Sequence, residues 1–200
     1  MDYVQPTKTA SPTISFMPPK TIVLVGLMGC GKTSIGKRLA KRLELPFHDS
    51  DHEVEAAAGC PIKDIYDIYG ESAFLGGEQR VIARLLEQPT HILATGGGSF
   101  ANEPTRVLIK EKAISVWLNA DIDTLVARVS RRNDRPLLMD GNQREVLEKL
   151  IGERYPLYQD ANIHVQTFDE PTNTTVDRVI QAMTDYIRES YPSYYVLKSV

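Results

Sequence analysis

Short apolar runs alternate with longer amphipathic stretches along most of the chain, beginning at Thr21. The first run, Thr21–Val25, is apolar and rich in β-branched residues, which is typical of a strand covered on both faces of a parallel sheet. Helical spacing follows it, because Ile35, Leu39 and Leu43 recur at four-residue steps. Further apolar runs predict strands at 46–48, 91–95, 113–118 and 162–167.

The stretches between these strands predict helices. One mostly helical region covers about residues 50–87 and is divided by Pro61 and Gly70. Its candidate core positions are 56–58, Ile62, Ile65, Ile68, Val81 and Leu85. Other helices are expected at 105–112, after a capping Asp121, at 145–155 and from Thr172 onward. Strands that alternate with helices imply βαβ units, so the predicted fold class is α/β with a parallel sheet.

Two stretches lack this periodicity. Residues 1–20 hold four prolines among Ser and Thr, and they predict a flexible N-terminal extension. Residues 131–144 hold Arg131, Arg132, Arg135 and Arg144 with Pro136 and Gly141, and we expect a mobile lid that closes over phosphates. The predicted organisation is a single domain over residues 21–190 and a C-terminal tail at 191–200.

Composition and charge narrow the class of protein. Hydrophobic residues make up 42% and charged residues 24% of 200 residues, as in ordinary globular domains. The net charge of −3 argues against a general nucleic-acid binder, and the apolar runs are too short to cross a membrane. Cys30 and Cys60 lack CxxC spacing, which favours a reducing compartment. A cytoplasmic protein is therefore expected, and we separately expect it to be a monomer.

A glycine-rich motif follows the first strand. Residues 26–33, GLMGCGKT, match the pattern G-x-x-x-x-G-K-[ST] between a strand and an amphipathic helix. Glycines let successive backbone N–H groups face one anion, Lys32 adds a full charge, and the Thr33 hydroxyl is a ligand for Mg²⁺. A nucleoside-triphosphate site is predicted; the alternative is a glycine-rich turn before an ordinary helix. Cys30 is expected to be a small loop residue rather than a nucleophile.

The motif alone does not define a reaction. A GTPase would add a guanine-reading N-K-x-D, and no such motif is present in the sequence. No Asp follows a long apolar strand in the Walker-B manner, because the run at 91–95 leads into three glycines. These features favour a small kinase in which a bound acceptor, rather than water, attacks the γ-phosphate.

Candidate acceptor groups follow two other strands. Asp49 and Asp51 come after the second strand, and on an extended backbone both side chains face the same way. One acid can hold the water shell of Mg²⁺ and the other can accept a hydroxyl proton; helix capping by Ser50 or Asp51 is the alternative. Glycines 96–98 end the third strand, where bare backbone permits a ligand to approach closely, unless they form a simple tight turn.

Several motifs taken together resemble the shikimate kinase family over about residues 21–167. They are GLMGCGKT at 26–33, DSD at 49–51, TGGG at 95–98, RPLL at 135–138 and RYPLY at 154–158. The resemblance implies a three-layer αβα P-loop kinase, similar to nucleoside-monophosphate kinases, with a five-stranded parallel sheet in the order 2-3-1-4-5. The implied reaction transfers the γ-phosphate of ATP to the 3-hydroxyl of shikimate, in aromatic amino-acid biosynthesis.

The resemblance also implies roles for individual residues. Contacts to ATP are implied for Gly29, Cys30, Gly31, Lys32, Thr33, Ser34, Arg128 and Arg135. Mg²⁺ is implied at Thr33 and Asp49, and shikimate at Asp51, Gly97, Gly98 and Arg154. The implied catalytic residues are Asp51 as base, Lys32, and Arg135 as the lid arginine.

One position departs from the family pattern. The family has F-R-x-x-E where this chain has Phe74-Leu75-Gly76-Gly77-Glu78, so Leu75 replaces an arginine that holds the shikimate carboxylate. A charge-assisted hydrogen bond is worth about 1.5–3 kcal/mol, and we predict weaker shikimate binding unless Arg80 compensates. The alternatives are a kinase for another small polyol or sugar acid, and a nucleotide-binding pseudokinase whose lid regulates a partner.

Overall fold

A five-stranded, all-parallel sheet forms the centre of the molecule. The computed structural model describes residues 17–130 and 142–194. Its strands are β1 (Thr21–Val25), β2 (Phe47–Asp49), β3 (Ile92–Ala94), β4 (Ala113–Ala120) and β5 (Ile163–Thr167). Their spatial order is β2-β3-β1-β4-β5, and every neighbouring pair is parallel. The expected sheet and its strand order are confirmed.

Helices cover both faces of this sheet. They are α1 (Lys32–Leu43), α2 (Ser50–Ala58), α3 (Ile62–Leu86), α4 (Glu103–Lys112), α5 (Ile122–Ser130), α6 (Gln143–Tyr158) and α7 (Thr172–Ser190), followed by a 3₁₀ turn at Pro192–Tyr194. Right-handed crossovers place α1 on one face and the helices between the later strands on the other. In agreement, α1 packs against α7 while α3 packs against α4, so the predicted three-layer α/β class is confirmed.

Burial on both faces explains the apolar character of the strands. All five residues of β1 are buried, as a central strand with neighbours on each side requires. Helix α1 packs closely on the sheet, because a Cβ added at Gly36 would lie 2.5 Å from the Phe47 ring. Helix α7 covers the same face with the apolar stripe read from the sequence: Val176, Val179, Ile180, Met183 and Ile187.

Strand register brings three loops to one edge of the sheet. Leu24 in β1 pairs with Ala94 in β3, which pairs in turn with Asp49 in β2. The strands are parallel, so the segments that follow residues 25, 49 and 94 all leave from their carboxyl ends. Ligands of open α/β sheets bind at this edge.

The region between β2 and β3 departs in part from the expectation. Its division at Pro61 and Gly70 is confirmed, because α2 ends before Pro61 and Gly70 has φ of 80° within α3. Ile65, Val81 and Leu85 are buried as predicted. Ile68 is 67% exposed, and residues 56–58 are exposed as well, so their assignment to the core was wrong. Gly70 breaks the helical phase between Ile68 and the buried residues from Phe74 onward. In α2 only Ser50 and Val54 are buried, so residues 56–58 lie outside the buried face of that helix.

Some predicted segments fall partly outside the described residues. These are residues 1–16 of the N-terminal extension, 131–141 of the lid and 195–200 of the tail. Residues 142–144, which we assigned to the lid, instead begin α6, because the Asn142 side chain accepts a hydrogen bond from the Arg144 amide at 3.2 Å. Across ranges 17–130 and 142–194, no helix is long and apolar enough to cross a membrane.

Candidate active site

The loop between β1 and α1 curls back on itself. Gly29 and Gly31 have φ of 85° and 101°, values that favour glycine over residues with a side chain. Within the described part of the chain no side chain caps the start of α1, where Gly31 is the N-cap residue. The N–H groups of the first turn, which includes the exposed Ser34, and the positive end of the helix dipole are therefore available to an anion.

Lys32 folds over the same loop. Its Nζ donates hydrogen bonds to the carbonyl oxygens of Gly26 at 2.7 Å and Leu27 at 3.0 Å. The buried Cys30 lies underneath, with Sγ 3.7 Å from Nζ. The Lys32 ammonium is thus fixed beside the N-terminus of α1, and the two together provide the positive potential that binds a polyphosphate.

Thr33 and Asp49 connect α1 to the end of β2. The Thr33 hydroxyl donates to Oδ2 of Asp49 at 2.8 Å. Mg²⁺ prefers oxygen ligands and is usually held by one or two carboxylates together with substrate phosphates. These two side chains fit that preference, since they place a hydroxyl and a carboxylate beside the phosphate loop. No cluster of three or more His, Cys, Asp or Glu side chains among residues 17–130 and 142–194 forms a separate metal centre.

Asp49 also decides how the chain continues. Its Oδ1 accepts the backbone N–H of Asp51 at 3.2 Å, so Asp49 is the N-cap of α2. The alternative that Ser50 or Asp51 caps a helix was right that a helix is capped here, but the capping residue is Asp49. The expectation that Asp51 lies on extended backbone was also wrong, because Asp51 belongs to the first turn of α2. Ser50 is fully buried, and its hydroxyl accepts the Gly96 amide at 2.9 Å.

A second carboxylate lies next to Asp51. Glu78 on α3 is 2% exposed, and its Oε1 accepts the Ser99 hydroxyl at 2.5 Å. A Cβ added at Gly96 would lie 2.7 Å from Glu78 Oε1 and 2.8 Å from Asp51 Oδ1. Burial, opposed by the Ser99 hydrogen bond and reinforced by the Asp51 charge, raises the pKa of Glu78 to about 7. Two acids therefore flank the start of the glycine turn, and one of them is half-protonated near neutral pH.

Arg154 contacts this turn from α6. Its NH1 group donates to the Gly97 carbonyl oxygen at 2.8 Å, and its guanidinium lies beside the open side of Gly98. The glycine turn also lies against the phosphate loop, since a Cβ added at Gly97 would lie 3.2 Å from the Met28 nitrogen. The structure thus brings together an arginine, two glycines and the loop that would hold a triphosphate.

Arg128 lies on the other side of the phosphate loop. Its NH1 group donates to the Cys30 carbonyl oxygen at 3.1 Å, and NH2 donates to the Phe168 carbonyl oxygen. The half-buried guanidinium therefore joins the phosphate loop to the segment between β5 and α7. Arg135 lies outside the described residues.

Leu75 and Arg80 lie on α3, close to Glu78 in sequence. Leu75 is partly buried and packs against the hydrophobic core. Arg80 is exposed and lines an open groove of about 470 Å³ between α2 and α3, together with Val54 and Arg84. Compensation for Leu75 by Arg80 would require this side chain to leave the groove, and it stays a prediction.

The sequence pattern assigned no role to Glu78, Ser99 or Tyr158, and it offered Ser50 only as a helix cap. A signal for Glu78 was present, because it shares the buried helical face of Phe74, Val81 and Leu85, where an acid needs a partner. The contacts of the two serines and the tyrosine depend on loops from distant segments, and no periodic pattern indicates them.

Comparison with known proteins gives one consistent result. The family model described as shikimate kinase matches residues 28–184. A shikimate kinase of Caulobacter vibrioides is 56% identical over 164 residues, which are 82% of each chain. A shikimate kinase of Rhodopseudomonas palustris is 48% identical over 173 residues, covering 86% of this chain and 85% of the relative. The solved structure of a shikimate kinase from Acinetobacter baumannii in complex with shikimate has a TM-score of 0.79 and 34% identity, and the match covers 83% and 93% of the two chains.

Proposed function

Because the chain belongs to the shikimate kinase family, we propose that it transfers the γ-phosphate of ATP to the 3-hydroxyl of shikimate. One observation carries the proposal beyond family membership. The phosphate loop, the Asp49–Asp51 segment and the glycine turn leave neighbouring strands at the same edge of the sheet. Donor and acceptor groups are therefore near neighbours, as direct transfer between two bound substrates requires.

The nucleotide half of the site uses backbone amides and one charge. The backbone amides of residues 29–34 and the Lys32 ammonium bind the phosphates of ATP. Arg128, which lies beside this loop, also contacts the nucleotide. Thr33 and Asp49 would hold Mg²⁺, Asp49 through the water shell of the ion, and the bound metal would supply positive charge to the phosphates of ATP. The family resemblance assigns Arg135 to ATP and the acceptor, and this role stays a prediction because the residue lies outside the described ranges.

The acceptor half uses Asp51, Arg154 and the glycine turn. Arg154 binds the shikimate carboxylate, and the backbone of Gly97 and Gly98 contacts the bound acceptor. Asp51 accepts the proton of the 3-hydroxyl as that oxygen forms its bond to the γ-phosphorus. The bond from this phosphorus to the bridging oxygen breaks, and ADP leaves with the electron pair.

The proposed working unit is a cytoplasmic monomer. The described groups of the site all come from a single chain: from β2, from the glycine turn after β3, and from α1, α2, α3, α5 and α6. Cys30 and Cys60 are free thiols, which is consistent with a reducing compartment.

Leu75 favours one second candidate. With an apolar side chain where the family pattern has an arginine, the acceptor carboxylate has one fewer charged partner, and a different small polyol or sugar acid becomes a competing substrate.

A coupled assay of ADP release separates the candidates. It is run with ATP and Mg²⁺ alone, with shikimate, and with a panel of polyols and sugar acids. Release stimulated by shikimate supports the proposal, and release stimulated by another acceptor alone supports the second candidate. Nucleotide binding without any acceptor-dependent release contradicts both and points to a pseudokinase.

A further inference from the structure

Tyr158 contacts the glycine turn from the same helical face as Arg154. The two residues are one turn apart on α6, and both donate to the Gly97 carbonyl oxygen, Tyr158 Oη at 2.5 Å and Arg154 NH1 at 2.8 Å. We propose that Tyr158 is a positioning residue, which fixes the Gly97–Gly98 peptide in the orientation that binds the acceptor. This inference rests on the proposed function of the site.

The hydrogen bond from Tyr158 to the Gly97 carbonyl oxygen also affects the Gly98 N–H, because both groups belong to one peptide unit. A carbonyl oxygen has two lone pairs, and here two donors use them. The peptide bond is planar and trans, so a fixed Gly97 carbonyl also fixes the direction of the Gly98 N–H on the opposite side. Two consecutive glycines restrain this peptide less than any other pair of residues would. The hydrogen bond from Tyr158 therefore fixes the orientation of the Gly97–Gly98 peptide, which the two glycines themselves leave free.

The surroundings of Tyr158 suit a fixed donor. The residue is 1% exposed, and its ring lies 5.9 Å from the ring of Trp117 and 6.2 Å from that of Phe100. Burial raises the pKa of the Tyr158 hydroxyl, so the group keeps its proton at physiological pH. The side chain has little freedom to turn away, and its hydroxyl remains a donor.

Tyr155 offers a matched control on the same helix. Its hydroxyl donates to the Ala120 carbonyl oxygen at the end of β4, away from the glycine turn. Its ring also packs against Trp117, at 5.1 Å between centroids. Substitution of either tyrosine by phenylalanine removes one hydroxyl-to-carbonyl bond and keeps the ring, so the two variants differ in which backbone segment loses its donor.

The test compares Tyr158→Phe with Tyr155→Phe in the full chain. For Tyr158→Phe we expect the KM for shikimate to rise about three- to tenfold, with the KM for ATP changed by less than about twofold. For Tyr155→Phe we expect a shikimate KM within about twofold of the unsubstituted chain. In amide NMR spectra, the Gly98 signal should shift in Tyr158→Phe and stay in place in Tyr155→Phe, which is a readout independent of activity.

The outcomes distinguish failure of the positioning role of Tyr158 from failure of the proposed shikimate kinase function. Shikimate turnover by the unsubstituted chain, with the same shikimate KM and the same Gly98 signal in both variants, overturns the inference alone. A Tyr158→Phe variant that raises the KM values of both substrates equally also overturns it, because the effect is then on the fold. An unsubstituted chain that does not phosphorylate shikimate refutes the proposed function and the inference with it.

Discussion

Glu78 and Asp51 belong to two consecutive helices, and their carboxylate oxygens crowd the same point beside Gly96. A Cβ at that glycine would lie less than 3 Å from both oxygens, at 2.7 Å and 2.8 Å. Glu78 is buried and bonded to Ser99, whereas Asp51 is half-buried in the first turn of α2. A proposed base therefore has a second acid as its neighbour, and the two differ in their exposure to solvent.

The first prediction concerns the pH dependence of stability. The pKa of Glu78 is raised from 4.5 to about 7, so between these pH values the folded chain holds a proton that the unfolded chain releases. The stability that this proton contributes is complete below the lower value and is lost as pH rises through the higher one. Glu78→Gln stays neutral, and we expect it to reduce the loss of unfolding free energy between about pH 5 and pH 8 by up to about 3 kcal/mol.

Urea unfolding of both chains at several pH values measures this effect. Glu71→Gln is the control, because Glu71 lies on α3 with an exposed side chain. The same pH dependence of stability in Glu78→Gln and Glu71→Gln would contradict the raised pKa of Glu78.

The second prediction concerns the space beside Gly96. In Gly96→Ala the new methyl group displaces the Asp51 and Glu78 carboxylates, and we expect kcat/KM for shikimate to fall at least about tenfold. Asp51 can move towards solvent, but Glu78 is buried and bonded to Ser99, so we also expect the melting temperature to fall. Gly77→Ala is the matched control: nothing lies within 4 Å of its added Cβ, and the helix should gain about 0.5–1 kcal/mol. Full activity in Gly96→Ala would refute the placement of the acceptor.

The third prediction concerns Leu75. Replacement by arginine restores the charged partner of the family pattern, and we expect the KM for shikimate to fall about 10- to 150-fold. Leu75→Met, which keeps an apolar side chain of similar volume against the core, should leave this KM nearly unchanged. Steady-state kinetics with varied shikimate provide the measurement. An unchanged or higher KM in Leu75→Arg would show that the site does not use this position.

The fourth prediction concerns the hydroxyl of Thr33. Thr33→Val keeps the shape of the side chain but loses the donor to Asp49 and the proposed ligand of Mg²⁺. We expect kcat to fall by about two orders of magnitude, with more Mg²⁺ needed for half-maximal rate. Thr33→Ser retains the hydroxyl and should keep most of the activity. Equal rates in the Val and Ser variants would remove Thr33 from the metal site.

The sequence predicts those parts of the molecule that depend on local pattern. A few consecutive residues, or a few helical turns, are enough to identify three features: the buried strand at Thr21–Val25, the glycine loop and the apolar stripe on α7. The strand order is different, because periodicity does not encode which strands become neighbours. It was available through the resemblance alone.

The remaining features depend on contacts that are not periodic. Asp51 was expected on extended backbone, but the Asp49 side chain caps its amide and starts a helix directly after β2. Glu78 acquires its raised pKa from burial and from Asp51, which lies 27 positions earlier in the numbering. Single side-chain contacts of this kind are set by the tertiary fold, and spacing along the chain does not predict them.

Identification of the product tests the central claim most directly. The unsubstituted chain and Asp51→Asn are incubated with ATP, Mg²⁺ and shikimate, and the phosphorylated product is assigned by phosphorus NMR. We expect one ADP for each phosphate ester formed, with the ester at the 3-hydroxyl of shikimate. In Asp51→Asn the rate should fall at least about 100-fold while ATP binding is retained. An ester at another position, or undiminished transfer by Asp51→Asn, would contradict the central claim.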